Sequence, residues 1–245
     1  MPLDILMTIL SIILMGGTIL FPDDRIHQVM GMTLLLLWVV HIALNRRWFS
    51  SLFKGKYQPY RIMQLVVNLG VLTCALFLMI SGLLMAWFIP AEWVGGSLGF
   101  ARTAHLLSSH WYYIFMAFHI GLHGAMIINK IKSRYKKHRH SEIEQCHSEL
   151  VSESIKSEMP KQVRHDDTLI VFVRIIFILI SLYGIYAFII RGVWKYMFGL
   201  QQFFFFDFER GYFIFALDYI AILVLFGTVS YALGKLITSR LKKED

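Results

Sequence analysis

Four histidines set in apolar stretches carry the chemistry this sequence offers. His27 and His41 stand fourteen positions apart in one hydrophobic run, and His105 and His119 repeat that interval in another. At about 100° and 1.5 Å per residue, fourteen helical steps return to within about 40° of the starting face and climb about 21 Å. Each run would therefore present two imidazoles on one face, at two depths. Ionisable side chains are costly inside lipid and mark functional sites there. Two such helices side by side would make two bis-histidine cages, one above the other, which is the ligand set for two non-covalent b-type haems. Ligation by two histidines fills both axial positions of an iron, so the chemistry expected is electron transfer and not oxygen activation.

The metal ligands expected on this reading are His27, His41, His105 and His119. His123 lies one turn beyond His119 on nearly the same face. It is a second candidate for the inner ligand, or a contact for a haem propionate or a quinone head group. His110 follows His105 by five positions, about 140° around a helix, and reads as interfacial or structural. Gly31, Gly121 and Gly124 could give a flat macrocycle room near the backbone, although close helix packing uses the same residues, as it does Gly70, Ser81 and Gly82.

The elements that must position these side chains follow from composition. Of 245 residues, 57% are hydrophobic and 16% charged, and mean hydropathy is +0.59. The apolar residues gather in runs of about twenty, the length that crosses a hydrocarbon core of about 30 Å. Six spans are expected, near 4–20, 26–45, 63–89, 103–129, 169–190 and 212–237. The fold class expected is all-α: an integral membrane protein of six transmembrane helices, with a four-helix haem-binding bundle. Residues 1–140 would form the four-helix cytochrome b-like unit, 141–167 a flexible cytoplasmic linker, and 168–245 a two-helix unit. The first run lacks the basic start and small-residue cleavage site of a signal peptide and reads as a retained helix.

The formal net charge of +8 arises from basic residues flanking the hydrophobic runs. It therefore points to a lipid bilayer and gives no sign of nucleic acid. Those residues concentrate after the second and fourth runs and at the tail. The positive-inside rule then sets both termini in the cytoplasm of a multi-pass protein. His27 and His105 would lie at the outer end and His41 and His119 near the cytoplasm. Cys74 in an apolar run and Cys146 in a polar connector are poorly placed for a mutual disulfide, and no C-x-x-C-H motif provides for covalent haem. His138, His140, His147 and His165 lack regular spacing and read as linker residues. The aromatic run Phe203–Phe206 reads as an interfacial belt or a short re-entrant helix.

Several stretches resemble the flavinylation-associated cytochromes, bacterial membrane di-haem b-type proteins. They are H-Q-V-M-G-M-T-L-L-L-L-W-V-V-H-I-A-L-N-R-R-W from His27, G-K-Y-Q-P-Y-R from Gly55, I-S-G from Ile80, A-R-T-A-H from Ala101 and F-H-I-G-L-H-G from Phe118. Y-G-I-Y-A-F from Tyr183 and F-F-D-F-E from Phe205 continue the likeness, which covers most of the chain outside the polar linker. The resemblance implies a cytochrome of the bacterial cell membrane that passes electrons to flavin-bearing or haem carriers outside the cytoplasm. Its histidines map onto His27, His41, His105, His119 and His123. His110 and the long linker depart from the pattern.

The function expected is transmembrane electron transfer by a di-haem b-type cytochrome. Quinol or a cytoplasmic-side donor would supply the electrons, and the chain would be an electron-transfer subunit of a quinol-linked oxidoreductase. Two other readings stand beside it. In one, a sensor or assembly subunit uses the histidines only for hydrogen bonds between helices. In the other, a transition-metal transporter binds its ion at them, with Asn68 and Asp218 as the nearest additional ligands.

Overall fold

In a computed structural model of the chain, the described residues are 2–17, 20–52, 54, 57–124, 126, 128, 133 and 161–244. Ala91, 161–170 and 242–244 are described through their backbone alone. His138, His140, His147, Cys146 and most of the expected linker lie outside the described residues, as does the side chain of His165.

The elements are helical, and no strand occurs among the described residues. In chain order they are α1 (Pro2–Leu14), α2 (Asp24–Leu44), α3 (Arg46–Ser51), α4 (Pro59–Leu84), α5 (Ala91–Val94), α6 (Leu98–Leu122), α7 (Lys161–Ile190), α8 (Val193–Met197) and α9 (Gly211–Glu244). Local chemistry sets several ends. Asp23 caps α2, its carboxylate accepting from Arg25 N at 2.9 Å. Pro59 opens α4, where its missing N–H costs nothing. Gly192 takes φ +60°, a left-handed turn that ends α7 and is open to glycine at little steric cost.

Among the described residues, four helices are long and apolar enough to cross a membrane: Asp24–Leu44, Pro59–Leu84, Val171–Ile190 and Gly211–Leu241. Their outward faces are apolar, with Leu36, Phe77, Phe172, Leu179 and Ile189 exposed. Such a surface is consistent with a lipid bilayer around it. The other two expected spans differ from that description. α1 has 13 residues, about 20 Å of helix at 1.5 Å per residue. α6 has 25 residues, ample in length, but its histidines, serines and tyrosines keep it below the hydropathy of the four.

The reason lies in its position. α6 runs through the interior, packed against α4 and α9 and touched by α8. Its buried residues include Ser108, His110, Tyr112, Tyr113 and Ala117. A helix wrapped by protein need not be apolar all round, because its polar groups find partners there. Tyr113 Oη donates to the Tyr219 carbonyl at 2.7 Å, and Ser230 Oγ to the Phe118 carbonyl at 2.8 Å. α9 thus docks directly on the histidine-bearing helix, and α7 packs on α9. Residues 161–167, read from the sequence as linker, are helical in their backbone.

α2 packs mainly on α1 and more lightly on α4. The two histidine helices, α2 and α6, are therefore not close-packed neighbours, and their side chains meet across the space between them.

Candidate functional site

α2 and α6 bring His27 and His105 together, with ring centres 6.4 Å apart and planes inclined by 69°. A metal–nitrogen bond of about 2 Å, with each ring nitrogen about 1.1 Å from its ring centre, sets two trans imidazoles about 6 Å apart. The observed ring separation is close to that value, and it also falls within the 4.5–7 Å range of ordinary edge-on ring contacts. Gln28 secures this end, its Oε1 accepting from Trp87 N at 2.9 Å just beyond α4.

The free nitrogens matter as much as the spacing. His105 Nδ1 lies 3.2 Å from the Leu78 carbonyl oxygen and 3.2 Å from Ser81 Oγ. A carbonyl only accepts, so Nδ1 carries the proton and Nε2 keeps its lone pair for a metal. Gly82 makes this possible, since a Cβ there would sit 3.3 Å from His105 Cε1. His27 Nδ1 is buried without an aligned partner among the described residues, although the Gly17 backbone lies near its ring.

A second cluster lies at the other end of the same helices. His119 Nδ1 is 2.8 Å from Asn68 Oδ1 on α4, which again leaves Nε2 free. His41 Nδ1 is 3.0 Å from Asp4 Oδ1 on α1. That contact is off the line of the N–H and is an approach of charge, not an aligned hydrogen bond. His123 caps the C-terminus of α6, and its ring centre is 4.7 Å from that of His119. Asp4, His41 and His123 all act electrostatically on His119.

Two of the four expected ligands, His105 and His119, thus have Nδ1 hydrogen-bonded to a protein acceptor, a contact that orients metal-binding imidazoles. Sequence spacing selected the four rings but not Asn68, Asp4, Leu78 or Ser81 as their partners. The one advance signal was that Asn68 is a polar residue inside an apolar run. Among the described residues no three of His, Cys, Asp and Glu converge as an ion-binding cluster. Two-imidazole ligation of a haem does not require one.

The remaining candidates fall out differently. His110 is buried, in keeping with the structural one of its two expected roles. Its Nδ1 faces the Leu106 carbonyl at 2.8 Å, and its ring stacks on Tyr196 at 4.4 Å and 11°. Gly121 and Gly124 make no cradle for a macrocycle, because added Cβ atoms would meet Gly227 O at 2.1 Å and the Tyr231 ring at 3.1 Å on α9. They serve helix packing. Beside Gly31, one turn from His27, an added Cβ meets nothing within 4 Å. The aromatic run forms no helix of its own: Phe206 is buried, and Phe204 lies 6.1 Å from Tyr196, ring centre to ring centre.

No family model, no curated protein and no solved structure matches this chain.

Proposed function

We propose that this chain is a di-haem b-type cytochrome of the bacterial cell membrane, an electron-transfer subunit working between quinol or a cytoplasmic donor and a flavin-bearing or haem carrier outside. The observation that carries the reading is the 6.4 Å separation of the His27 and His105 rings. His41 and His119 are the ligands assigned to the second haem. When bound, haem supplies one-electron transfer, and its redox chemistry belongs to the cofactor.

The chain's own residues do the positioning. Asn68, Leu78 and Ser81 hold imidazole protons at Nδ1 of His119 and His105, which fixes the tautomer and the ring orientation. Asp4 faces His41 at 3.0 Å, where a carboxylate strengthens imidazole as a donor. Separation of α2 from α6 and open space at Gly31 leave room for a macrocycle. All four ligand histidines are half-buried, and the lowered dielectric of such a setting would tune the potential of a bound haem. No catalytic residue is assigned.

On this reading α1 and α6 supply two further crossings beside the four apolar helices, α6 doing so inside the bundle. The basic flanks support cytoplasmic termini, with His27 and His105 outermost. The motif resemblance to flavinylation-associated cytochromes supports the same assignment and names the class of outer acceptor.

His27→Ala and His105→Ala test the outer cage. Each variant should lose one haem per chain in a pyridine haemochrome assay and keep the other. Two haems retained by both variants would overturn the ligand assignment.

A further inference from the structure

Where α7 ends and α9 begins, the chain folds into a polar cavity remote from the histidine pairs in sequence and unused by them. Its volume is about 420 Å³, and its lining includes Arg191, Lys195, Tyr196, Asp207 and Arg210. Arg191 anchors it. The guanidinium Nε donates to Asp218 Oδ2 at 2.7 Å, with side-chain exposures of 9% and 1%. Asp218 Oδ1 also accepts from Tyr183 Oη at 2.5 Å. The carboxylate is thereby satisfied, while Arg191 Nη2 remains buried with no hydrogen-bond partner among the described residues, the guanidinium lying 5.4 Å over the Phe215 ring. A buried guanidinium nitrogen without an acceptor is costly unless a ligand supplies one.

The other charges point the same way. Arg210 Nε pairs with Asp207 Oδ2 at 3.3 Å. The Lys195 ammonium lies 5.7 Å over the Trp194 ring, and no carboxylate among the described residues lies within ion-pair distance of it. Three cations therefore stand against two carboxylates, Asp207 in the lining and Asp218 behind it, an excess of one positive charge. Tyr196 Oη accepts from Phe205 N at 3.1 Å, so its own proton is free to donate. Burial pushes that phenol above its ordinary pKa and keeps the proton on. Ile189, Ile190 and Phe206 form an apolar wall. The cavity adjoins the ends of two helices apolar enough to cross a membrane, Val171–Ile190 and Gly211–Leu241.

We propose that this cavity binds a phosphate group, held by Arg191 Nη2, Lys195, Arg210 and the Tyr196 hydroxyl. Phosphate offers several acceptor oxygens to donors arriving from different directions, which suits cations contributed by three separate segments. The group can come from an anionic lipid head at the interface or from a soluble phosphate ester.

The test uses the full chain, purified and delipidated in neutral detergent. Short-chain phosphatidylglycerol, short-chain phosphatidylcholine and glycerol 3-phosphate are titrated separately, and binding is read from tryptophan fluorescence. Saturable binding of phosphatidylglycerol alone identifies a lipid head, whereas binding of glycerol 3-phosphate identifies a soluble ester. In either case Lys195→Gln with Arg210→Gln should weaken binding at least tenfold. Both changes leave the Arg191–Asp218 pair intact, and thermal unfolding at the parent's temperature checks that the double variant is folded. Arg102→Gln, which removes an exposed cation elsewhere, should leave affinity unchanged. The proposal is overturned if neither anion binds saturably, if phosphatidylcholine binds as well as phosphatidylglycerol while glycerol 3-phosphate does not bind, or if the double variant binds like the parent.

Discussion

His119 is fixed at one nitrogen by the protein itself, through Asn68 Oδ1 at 2.8 Å. An imidazole committed in this way presents Nε2 with its lone pair outward, and loss of such a partner costs metal affinity about 10–100-fold. Asn68→Leu should therefore weaken uptake of one haem by about that factor in titrations of the apoprotein, whereas Asn68→Asp, which keeps an acceptor, should retain it. Equal affinity in both variants would show that the Asn68 contact does not govern ligation. The same contact separates His119 from His123, which caps the helix end. His123→Ala should keep two haems per chain and His119→Ala only one, with the reverse outcome moving the ligand to His123. Periodicity selected the rings because helical geometry repeats within one chain segment. Their partners on α1 and α4 depend on how separate helices approach one another, and no spacing rule within a helix encodes that distance.

At the scale of helices, the division between packing and opening is carried by glycines that look alike in sequence. Gly121 allows α6 to lie against α9, where an added Cβ would come 2.1 Å from Gly227 O. Gly121→Val should force those helices apart at a cost beyond the usual overpacking of about 1–3 kcal/mol, seen as early thermal unfolding of the apoprotein. Gly31 is the opposite case, since nothing stands within 4 Å of an added Cβ. Gly31→Phe should leave apoprotein unfolding unchanged and lower haem content. If apoprotein stability fell and haem content held, the space beside Gly31 would not be the cofactor's. The long apolar runs were legible in advance because lipid demands about twenty apolar residues of any helix that faces it. α6 is expected as one of those apolar runs, and its burial inside the bundle accounts for the histidines, serines and tyrosines it carries. α1 is shorter than its apolar run, as residues 15–17 turn away from the helix.

For the whole molecule, the helices after the polar connector are part of one packed body, since α9 lies on α6 and α7 on α9. The buried Arg191–Asp218 pair ties this part together with Tyr183. Asp218→Ala would leave the Arg191 charge buried and unpaired, a loss of about 3–5 kcal/mol that should appear as a large drop in thermal stability. A drop no larger than that of a surface substitution would mean that water reaches the pair. The polar linker marks off a four-helix and a two-helix unit in the sequence, whereas the contacts of Gly227, Tyr219 and Ser230 with α6 arise between helices and cannot be read from connectivity. Whether haem fills the space between α2 and α6 is read from the absorption of the purified full chain, oxidised and dithionite-reduced, with haem quantified per chain. Sharp reduced α and β bands with two haems per chain is the result this account predicts. A protein that remains free of haem after reconstitution would contradict it.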